Sequence, residues 1–452
     1  MKENDFTRGK IVGPLLKFML PVLLAMLLQS MYGAVDLLIV GQFAQSADVS
    51  AVSTGAQMMM TVTGLITSFA MGATILLGQR IGEGRGKEGG AVVGSSICLF
   101  GAVALVFTGL IPLLAGPLSR VMNAPPEAYG ATVSYIRLCG FGSVFIVAYN
   151  LLGSVFRGIG DSRTPLLTVF IACVCNILGD LLLVAVCGMG TAGAAIATVA
   201  AQGVSVAVSL RILRKKELPF RFTRADLRFR GDIIGRVTAL GLPIALQDLL
   251  VGISFLVLLA IVNDLGLIPS AGIGVAERVC GFIMLIPAAF MQAMSAFVAQ
   301  NVGAGKYDRA KRALGCAIGV SMLPAVAMFV LTFWRGDLLA GVFSKDPAVI
   351  AAAADYLKAY AIDCLLTCFL FCFIGFFNGV GSTGFVMAQG VIGAFLVRVP
   401  VAFLMSRETS VSMFHVGLAT PCSTVLQVLL CAAWLLVTGR RFEKKREAER
   451  IR

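Results

Sequence analysis

Long apolar runs alternate with short polar segments along the whole chain. A helical run of roughly 20 apolar residues crosses the ~30 Å hydrocarbon core of a bilayer. Lipid offers no partner to a free N–H or C=O, so spanning segments are helices or closed barrels, and barrel strands would show alternating segments of about ten residues. The pattern therefore predicts an all-α integral membrane protein with twelve transmembrane helices, at 12–40, 51–77, 91–116, 130–155, 164–186, 190–213, 236–262, 271–299, 311–334, 351–377, 385–405 and 412–438.

Two groups of six spans define the predicted organisation. We expect an N-terminal six-helix bundle at 1–213, a linker at 214–235, a C-terminal bundle at 236–438 and a basic tail at 439–452. The linker contains Phe220, Phe222 and Phe229, which suit a position on the membrane surface. The first apolar run is longer and more polar than the core of a signal peptide, so we expect it to remain as a helix.

Composition supports a membrane location. Of the 452 residues, 58% are hydrophobic and only 13% are charged. Soluble proteins are about 25% charged, and one this apolar would expose patches that promote aggregation. We therefore expect the bilayer, and not water, to surround most of the chain.

Charge predicts the orientation. Twelve spans place both termini on one side, and the segments on that side contain most of the 37 lysine and arginine residues. Basic residues concentrate in cytoplasmic loops, so both termini are expected in the cytoplasm of a bacterial or archaeal cell. The net charge of +13 is thus explained by topology, and because the basic residues lie in short loops we expect no nucleic-acid partner.

The two halves of the chain resemble each other. Three matches share one offset of 221 residues: 79–84 with 300–305, 135–137 with 356–358, and 156–160 with 377–381. Pro21 and Pro243 lie near the same register, early in the first span of each half. Each half has an even number of spans, so the halves are parallel repeats, an arrangement in which transporters place a site between two bundles that rock.

Polar residues inside the spans of the first half mark a candidate site, because ionisable groups in lipid are costly and usually functional. Three of them, spaced i, i+3 and i+7, share one face of the first span. Two further pairs are spaced i, i+4 in the fifth and sixth spans. Packing by interhelical hydrogen bonds is the alternative explanation for the uncharged residues. The residues are Gln29, Tyr32, Asp36, Asn150, Asn176, Asp180, Thr198 and Gln202.

The second half lacks this acidic pair, since the register of Asp36 falls near Val257–Leu258 and that of Asp180 at Val401. Its polar positions include Asp248, Glu277, Asp363 and Arg398. We name five residues from both halves as candidates for a substrate cavity: Tyr135, Gln202, Gln247, Gln292 and Arg398.

The chain resembles the MATE (multidrug and toxic compound extrusion) transporters over essentially its whole length. The resemblance is carried by Pro21 with Gln29, Tyr32 and Asp36, by Phe156-Arg157-Gly158-Ile159-Gly160-Asp161-Ser162-Arg163-Thr164-Pro165, by Asn176-Ile177-Leu178-Gly179-Asp180, by Gly241-Leu242-Pro243-Ile244, and by Gln300-Asn301-Val302-Gly303-Ala304-Gly305-Lys306. It implies two six-helix bundles and export of cationic or amphipathic organic compounds in exchange for protons or sodium.

Within that family the chain is similar to the prokaryotic, DinF-like branch, whose ion site lies in the N-terminal bundle. The resemblance assigns that site to Asp36, Asp180, Asn176, Asn150, Gln29, Tyr32 and Thr198, with Tyr135 nearby and Pro21 as the point where the first helix bends. One departure concerns the C-terminal bundle. One branch of the family has an acidic residue eight positions after the proline of Gly-Leu-Pro-Ile. This chain has Val251 at that position.

The expected mechanism is alternating access by a monomer without a cofactor, coupled to H⁺ or Na⁺. Protonation of Asp36 or Asp180 would weaken their attraction for a cation. Sodium is the open alternative, because the oxygens of Asp36, Asn176, Asp180 and Thr198 suit a hard cation.

Other classes fit less well. A flippase for lipid-linked oligosaccharides or another lipid has the same two-bundle architecture, but pyrophosphate would need a strongly cationic cavity. An intramembrane enzyme would need a nucleophile with its base, or a metal cluster, and the spans show neither pattern. A channel or receptor does not need a six-span repeat with acidic residues in one half.

Overall fold

The computed structural model describes residues 6–407 and 412–451, with the side chains of residue 87 and of residues 438–451 left aside. Within these ranges the chain forms helices and no strands. The first half contains α1 (Val12–Phe43), α2 (Ser46–Gly82), α3 (Gly86–Val121), α4 (Pro126–Phe141), α5 (Ser143–Gly158), α6 (Arg163–Asp180) and α7 (Gly190–Lys215). The second half contains α8 (Gly231–Asn263), α9 (Leu267–Ile283), α10 (Leu285–Gly303), α11 (Tyr307–Gly341), α12 (Pro347–Val380), α13 (Thr383–Val391), α14 (Val399–Met405), α15 (Met413–Gly417) and α16 (Ala419–Ile451).

The all-helical membrane fold is confirmed. In the described residues, 11 helical segments are long and apolar enough to cross a bilayer, and the number is 12 if the pair α4 and α5, bent by 54°, is counted as one span. The bend lies at Gly142, where an added methyl group would come within 2.5 Å of Val199. The predicted tail begins inside α16, whose backbone stays helical to Ile451, while residue 452 lies outside the described range.

The backbone repeats its turns between the halves. The α2–α3 turn has Gly84 at φ 73°, and the α10–α11 turn has Gly305 at φ 69°. The turns that follow α5 and α12 have Gly160 at φ 86° and Gly381 at φ 94°. Glycine adopts this left-handed conformation without the cost that a Cβ imposes. The repeat inferred from sequence matches is therefore also a repeat of local geometry.

Packing divides the chain into two compact units. Among the described residues, the first contains 6–245 together with 296–310 and 379–381, and the second contains the remaining segments. Valine, isoleucine, leucine and alanine side chains form most of the core of each unit. The first unit thus extends beyond the predicted bundle at 1–213 to include the linker and the beginning of α8.

The linker packs inside the first unit, against α3. Phe220 is buried and contacts Gly89, where an added methyl group would lie 2.5 Å from its ring. The surface position expected for Phe220 is therefore wrong, because a glycine on α3 makes room for its ring. Phe222 and Phe229 are exposed, as that expectation requires.

Residues 6–10 form a strap that is bound to the α10–α11 turn. Arg309 donates four hydrogen bonds to carbonyl oxygens of the strap, from Nε to Phe6 (3.0 Å), from Nη1 to Gly9 (2.8 Å) and from Nη2 to Arg8 (2.9 Å) and Lys10 (3.3 Å). The ring of Phe6 is fully buried against Phe18 and Phe297. The beginning of α1 is thus fixed to this turn.

Candidate functional site

The two acidic residues predicted for the first half meet inside the first unit. Asp36 lies on α1 and is 4% exposed, while Asp180 ends α6 and is fully buried. Helices α1 and α6 pack together, and the two carboxyl groups lie close enough to interact directly. The i, i+4 spacing also brings buried Asn176 beside Asp36.

The backbone changes geometry at this point. Residues Leu181–Val186, directly after Asp180, form a π-helical segment within the fifth span. Such segments are rare and occur frequently at functional sites, because the wider turn displaces side chains from the regular helical register. No periodic signal marks this segment in the sequence, since the apolar run continues unchanged.

Several polar atoms of this cluster lack a hydrogen-bond partner among the described residues. They are Tyr32 Oη, Asp36 Oδ1, both amide atoms of Asn176 and both carboxyl oxygens of Asp180. Buried polar groups normally have partners, because an unpaired one costs about 1–3 kcal/mol. Two ionised carboxylates can only accept, so no hydrogen bond joins them unless one is protonated. The arrangement therefore requires a proton, a cation or water to complete it.

Tyr32, Tyr135 and Thr198 surround the pair. The side chain of Thr198 lies beside both tyrosines, and its hydroxyl donates to the Ala194 carbonyl at 2.9 Å. Tyr135 is almost fully buried and packs against Gly55, where an added methyl group would lie 2.5 Å from its ring. Three helices, α1, α4 and α7, thus contribute hydroxyl groups to one region.

Asn150 is buried near this region, but its amide is already occupied. Its Nδ2 donates to the Ile146 carbonyl (2.8 Å), and its Oδ1 accepts from Thr67 Oγ1 (2.6 Å). Sequence reasoning missed Thr67, although the i, i+4 pair Thr63 and Thr67 marks a polar face of α2. The role of Asn150 in the ion site stays a prediction.

The remaining α1 residues are placed less centrally. Gln29 is exposed, so the structure does not bring it into the buried cluster. Helix α1 continues through Pro21 without interruption. Proline lacks a backbone N–H and so leaves the carbonyl one turn earlier without its helical partner. This carbonyl marks a weak point in the helix that bears Asp36.

The second unit has a polar cluster of its own. Arg398 is 5% exposed, donates from Nη1 to Ser254 Oγ (2.9 Å) and lies 4.1 Å from the ring centre of Phe255. Its charge interacts with that of buried Asp363. Arg398 Nε and Asp363 Oδ1 have no hydrogen-bond partner in the described part of the chain. Sequence analysis named both residues as polar positions of the second half, but only Arg398 as a candidate for the substrate cavity.

The glutamines proposed for a substrate cavity lie in both units. Gln202, in the first unit, and Gln247, in the second, each have a side-chain oxygen without a hydrogen-bond partner among the described residues. Gln247 packs against Gly390, where an added methyl group would lie 2.9 Å from its side chain. Gln292 is half-buried in the second unit. Their membership of one cavity stays a prediction.

Comparisons with known proteins agree with the repeat and the fold. The family model described as MatE matches the chain twice, over residues 21–182 and 243–404. The "Probable multidrug resistance protein YoeA" of Bacillus subtilis (strain 168) is 26% identical over 429 residues, covering 91% of each chain. The "Multidrug export protein MepA" of Staphylococcus saprophyticus is 24% identical over 416 residues, covering 90% of each.

Solved structures share the architecture. One described as "Crystal structure of MATE in complex with MaL6" aligns with a TM-score of 0.90 at 20% identity, over 98% of this chain and 100% of that one. Another, an "Outward-facing conformation of a multidrug resistance MATE family transporter of the MOP superfamily", aligns with a TM-score of 0.90 at 20% identity, over 98% and 99%. At this identity the likeness is one of fold.

Proposed function

Because this chain belongs to the MatE family, and is thus a multi-pass membrane transporter and not an enzyme, we propose that it exports cationic or amphipathic organic compounds in exchange for protons or sodium. The observation that carries the proposal is the buried pair Asp36 and Asp180 with its unpartnered oxygens. The relatives are named for multidrug resistance and export, which supports organic compounds as the exported class.

The coupling follows from the chemistry of this pair. Two adjacent carboxylates repel each other in a buried environment, so a proton or a sodium ion between them is favourable. Asn176 and Thr198 supply the further oxygens that a hard cation needs. Binding of the ion removes negative charge from α1 and α6, which weakens their attraction for an organic cation. Inward movement of the ion thereby accompanies outward release of the compound.

The bend proposed for α1 gives the change of shape. The missing hydrogen bond at Pro21 lets α1 bend there, which changes the angle between its strap-bound beginning and the part that bears Asp36. Each charge moved across the membrane yields about 2.3 kcal/mol per 100 mV, which supports a concentration ratio on the order of 50-fold. Alternating access by a monomer needs no cofactor besides the coupling ion.

Transport into inside-out vesicles tests the proposal. Tetraphenylphosphonium uptake, driven by an imposed proton or sodium gradient, is compared between wild type, Asp36→Asn and Asp337→Asn, whose side chain is 56% exposed. We expect gradient-driven uptake in wild type and in Asp337→Asn, and its loss in Asp36→Asn. Absence of uptake in folded wild-type protein under both gradients would contradict the proposal.

A lipid flippase is not favoured. Its anionic cargo would need several buried cations, and the charge of buried Arg398 already interacts with that of Asp363. The sidedness of the chain belongs to the proposal as well. We place both termini in the cytoplasm of a bacterial or archaeal cell, on the strength of the lysine and arginine distribution.

A further inference from the structure

Four helices end together at one point of the first unit: α2, α5, α10 and α12. Gln79 Nε2 donates to the Gly379 carbonyl at 3.0 Å, and Gln300 Nε2 donates to the Gly158 carbonyl at 3.1 Å. Residues 79 and 300, like residues 158 and 379, are counterparts at the repeat offset of 221. The two hydrogen bonds are therefore one contact made twice, about a pseudo-two-fold axis.

The backbones at this point touch with the same symmetry. A methyl group added at Gly82 would overlap the carbonyl oxygen of Gln300, and one added at Gly303 would overlap that of Gln79. Gly82 and Gly303 are again counterparts. A third pair lies on the axis itself, since an added Cβ at Gly78 would lie 3.1 Å from the Cβ of its counterpart Ala299. Three independent contacts thus obey one symmetry.

The cluster lies on the basic side of the membrane. Its helix ends and turns contain Arg80, Arg157 and Lys306, which belong to the segments assigned to the cytoplasm. In the sequence these turns are evidence of a repeat, and no function was predicted for them.

We propose that Gln79, Gly82, Gln300 and Gly303 form a two-fold gate on this side of the membrane, which separates and re-forms in each transport cycle. The inference rests on the proposed function, because a gate is needed only if access alternates.

The chemistry of the contact suits repeated separation. Glycine surfaces meet without interlocking side chains, so the helices part without rotamer changes. The accepting carbonyls lie at helix C-termini, where the last four C=O groups have no partner within the helix and bind water readily. Symmetry ensures that both hydrogen bonds break in the same movement.

A disulfide on the axis tests the gate directly. Disulfides need Cβ atoms about 3.5–4.5 Å apart, so Gly78→Cys with Ala299→Cys needs a shift of a few tenths of an ångström. The pair is introduced after the exposed Cys187 and Cys422 are changed to serine. Tetraphenylphosphonium uptake is measured after oxidation and again after reduction, with the single variant Gly78→Cys as control.

The gate predicts that the oxidised double variant takes up no more than empty vesicles do, that reduction restores uptake, and that the single variant is unaffected by either treatment. Full uptake by protein whose disulfide is verified by mass spectrometry would overturn the proposal.

Hydrogen exchange gives a second test that does not depend on the cargo. Gly82→Ala and Gly303→Ala are compared with Gly64→Ala, which lies on α2 with open space around it. We expect each of the first two variants to raise amide exchange in both turns, 79–86 and 300–306, and Gly64→Ala to raise neither. Faster exchange in the mutated turn alone would contradict the reciprocal contact.

The two tests also separate the gate from the function on which it rests. Absence of cation uptake in wild type, together with reciprocal exchange, would contradict the proposed cargo and leave the symmetric contact intact. Uptake that persists in the disulfide-linked protein would contradict the gate and leave the transporter proposal intact.

Discussion

Asp36 and Asp180 act as one unit at the scale of single residues. Their carboxyl groups share a buried region in which the oxygens of Asp180 have no hydrogen-bond donor among the described side chains. Groups that act together show non-additive effects when they are mutated. We therefore expect the effects of mutating the two residues to be non-additive, which a packing role for either residue would not produce.

Either single variant, Asp36→Asn or Asp180→Asn, should abolish the dependence of transport on the imposed ion gradient, and the double variant should be no worse than the singles. Gradient-driven uptake in vesicles measures all three. Effects of the two single variants that simply add in the double variant would argue that the carboxyl groups work separately.

Asp161 provides a residue-scale prediction outside the spans. Burial alone raises the pKa of its carboxyl group, but hydrogen bonds from Lys216 and Thr164, together with the charge of Lys216, outweigh burial and lower that pKa. Lys216 Nζ lies 2.8 Å from Asp161 Oδ2. A carboxyl group with a lowered folded pKa adds stability above its unfolded value of about 3.9, and this stability is lost as pH falls through the folded value.

Lys216→Met should therefore lower the free energy of unfolding at neutral pH by an amount on the order of 1–2 kcal/mol. The measurement is the thermal midpoint of unfolding in detergent, which should fall. The difference from wild type should shrink as pH falls below about 4, as the carboxyl group is protonated. Lys215→Met, which removes an exposed charge at the neighbouring position, is the control. An equal loss of stability at all pH values would contradict this origin.

Residue spacing predicted the core of the site and little of its surroundings. The i, i+4 pair Asn176 and Asp180 is now seen buried next to Asp36, because helical spacing alone decides which residues share a face. The Thr67–Asn150 hydrogen bond joins residues distant in sequence, so it depends on how α2 packs against α5. No pattern within one helix indicates such a pairing.

At the scale of elements, the strap at residues 6–10 is the feature that sequence reasoning missed. Hydrogen bonds to backbone carbonyls leave no mark in the strap's own sequence, since any residue supplies a carbonyl. Gly9 is the one strap residue whose type reflects the strap's conformation, because a φ of 71° favours glycine. The same limit hid the burial of Phe220, which depends on a glycine on a different helix.

Removal of the strap's main partner should loosen the beginning of α1. Arg309→Ala deletes four donors to carbonyl groups, so we expect faster amide exchange in residues 6–17 and a loss of stability on the order of 1–2 kcal/mol. Arg312→Ala, at an exposed position three residues on, removes the same charge and should leave this exchange unchanged. Unaltered exchange in Arg309→Ala would contradict the account of the strap.

Spans were the most predictable elements. Twelve apolar runs correspond to the helices of the structure because the length of lipid to be crossed fixes the length of each run. The bend at Gly142 and the π-helical segment after Asp180 escaped prediction, since neither interrupts the hydrophobic pattern. The bend at Gly142 depends on close packing with Val199 of a different helix, which no local pattern indicates.

At the scale of the whole molecule, the repeat is symmetric in backbone and asymmetric in chemistry. The turns at Gly84 and Gly305 have matching backbone angles, whereas Asp180 has Val401 at its repeat position. The second half instead places Arg398 near Asp363. The positive charge of Arg398 interacts with the charge of this carboxyl group, so we assign ion coupling to the first half alone.

The most direct test of this central claim is calorimetry of tetraphenylphosphonium binding to purified protein at several pH values and sodium concentrations. For wild type the account predicts that protons or sodium weaken binding competitively. In Asp36→Asn this dependence should disappear, while Asp363→Asn should retain it. A dependence that survives unchanged in Asp36→Asn, or that is lost only in Asp363→Asn, would contradict coupling through the first half.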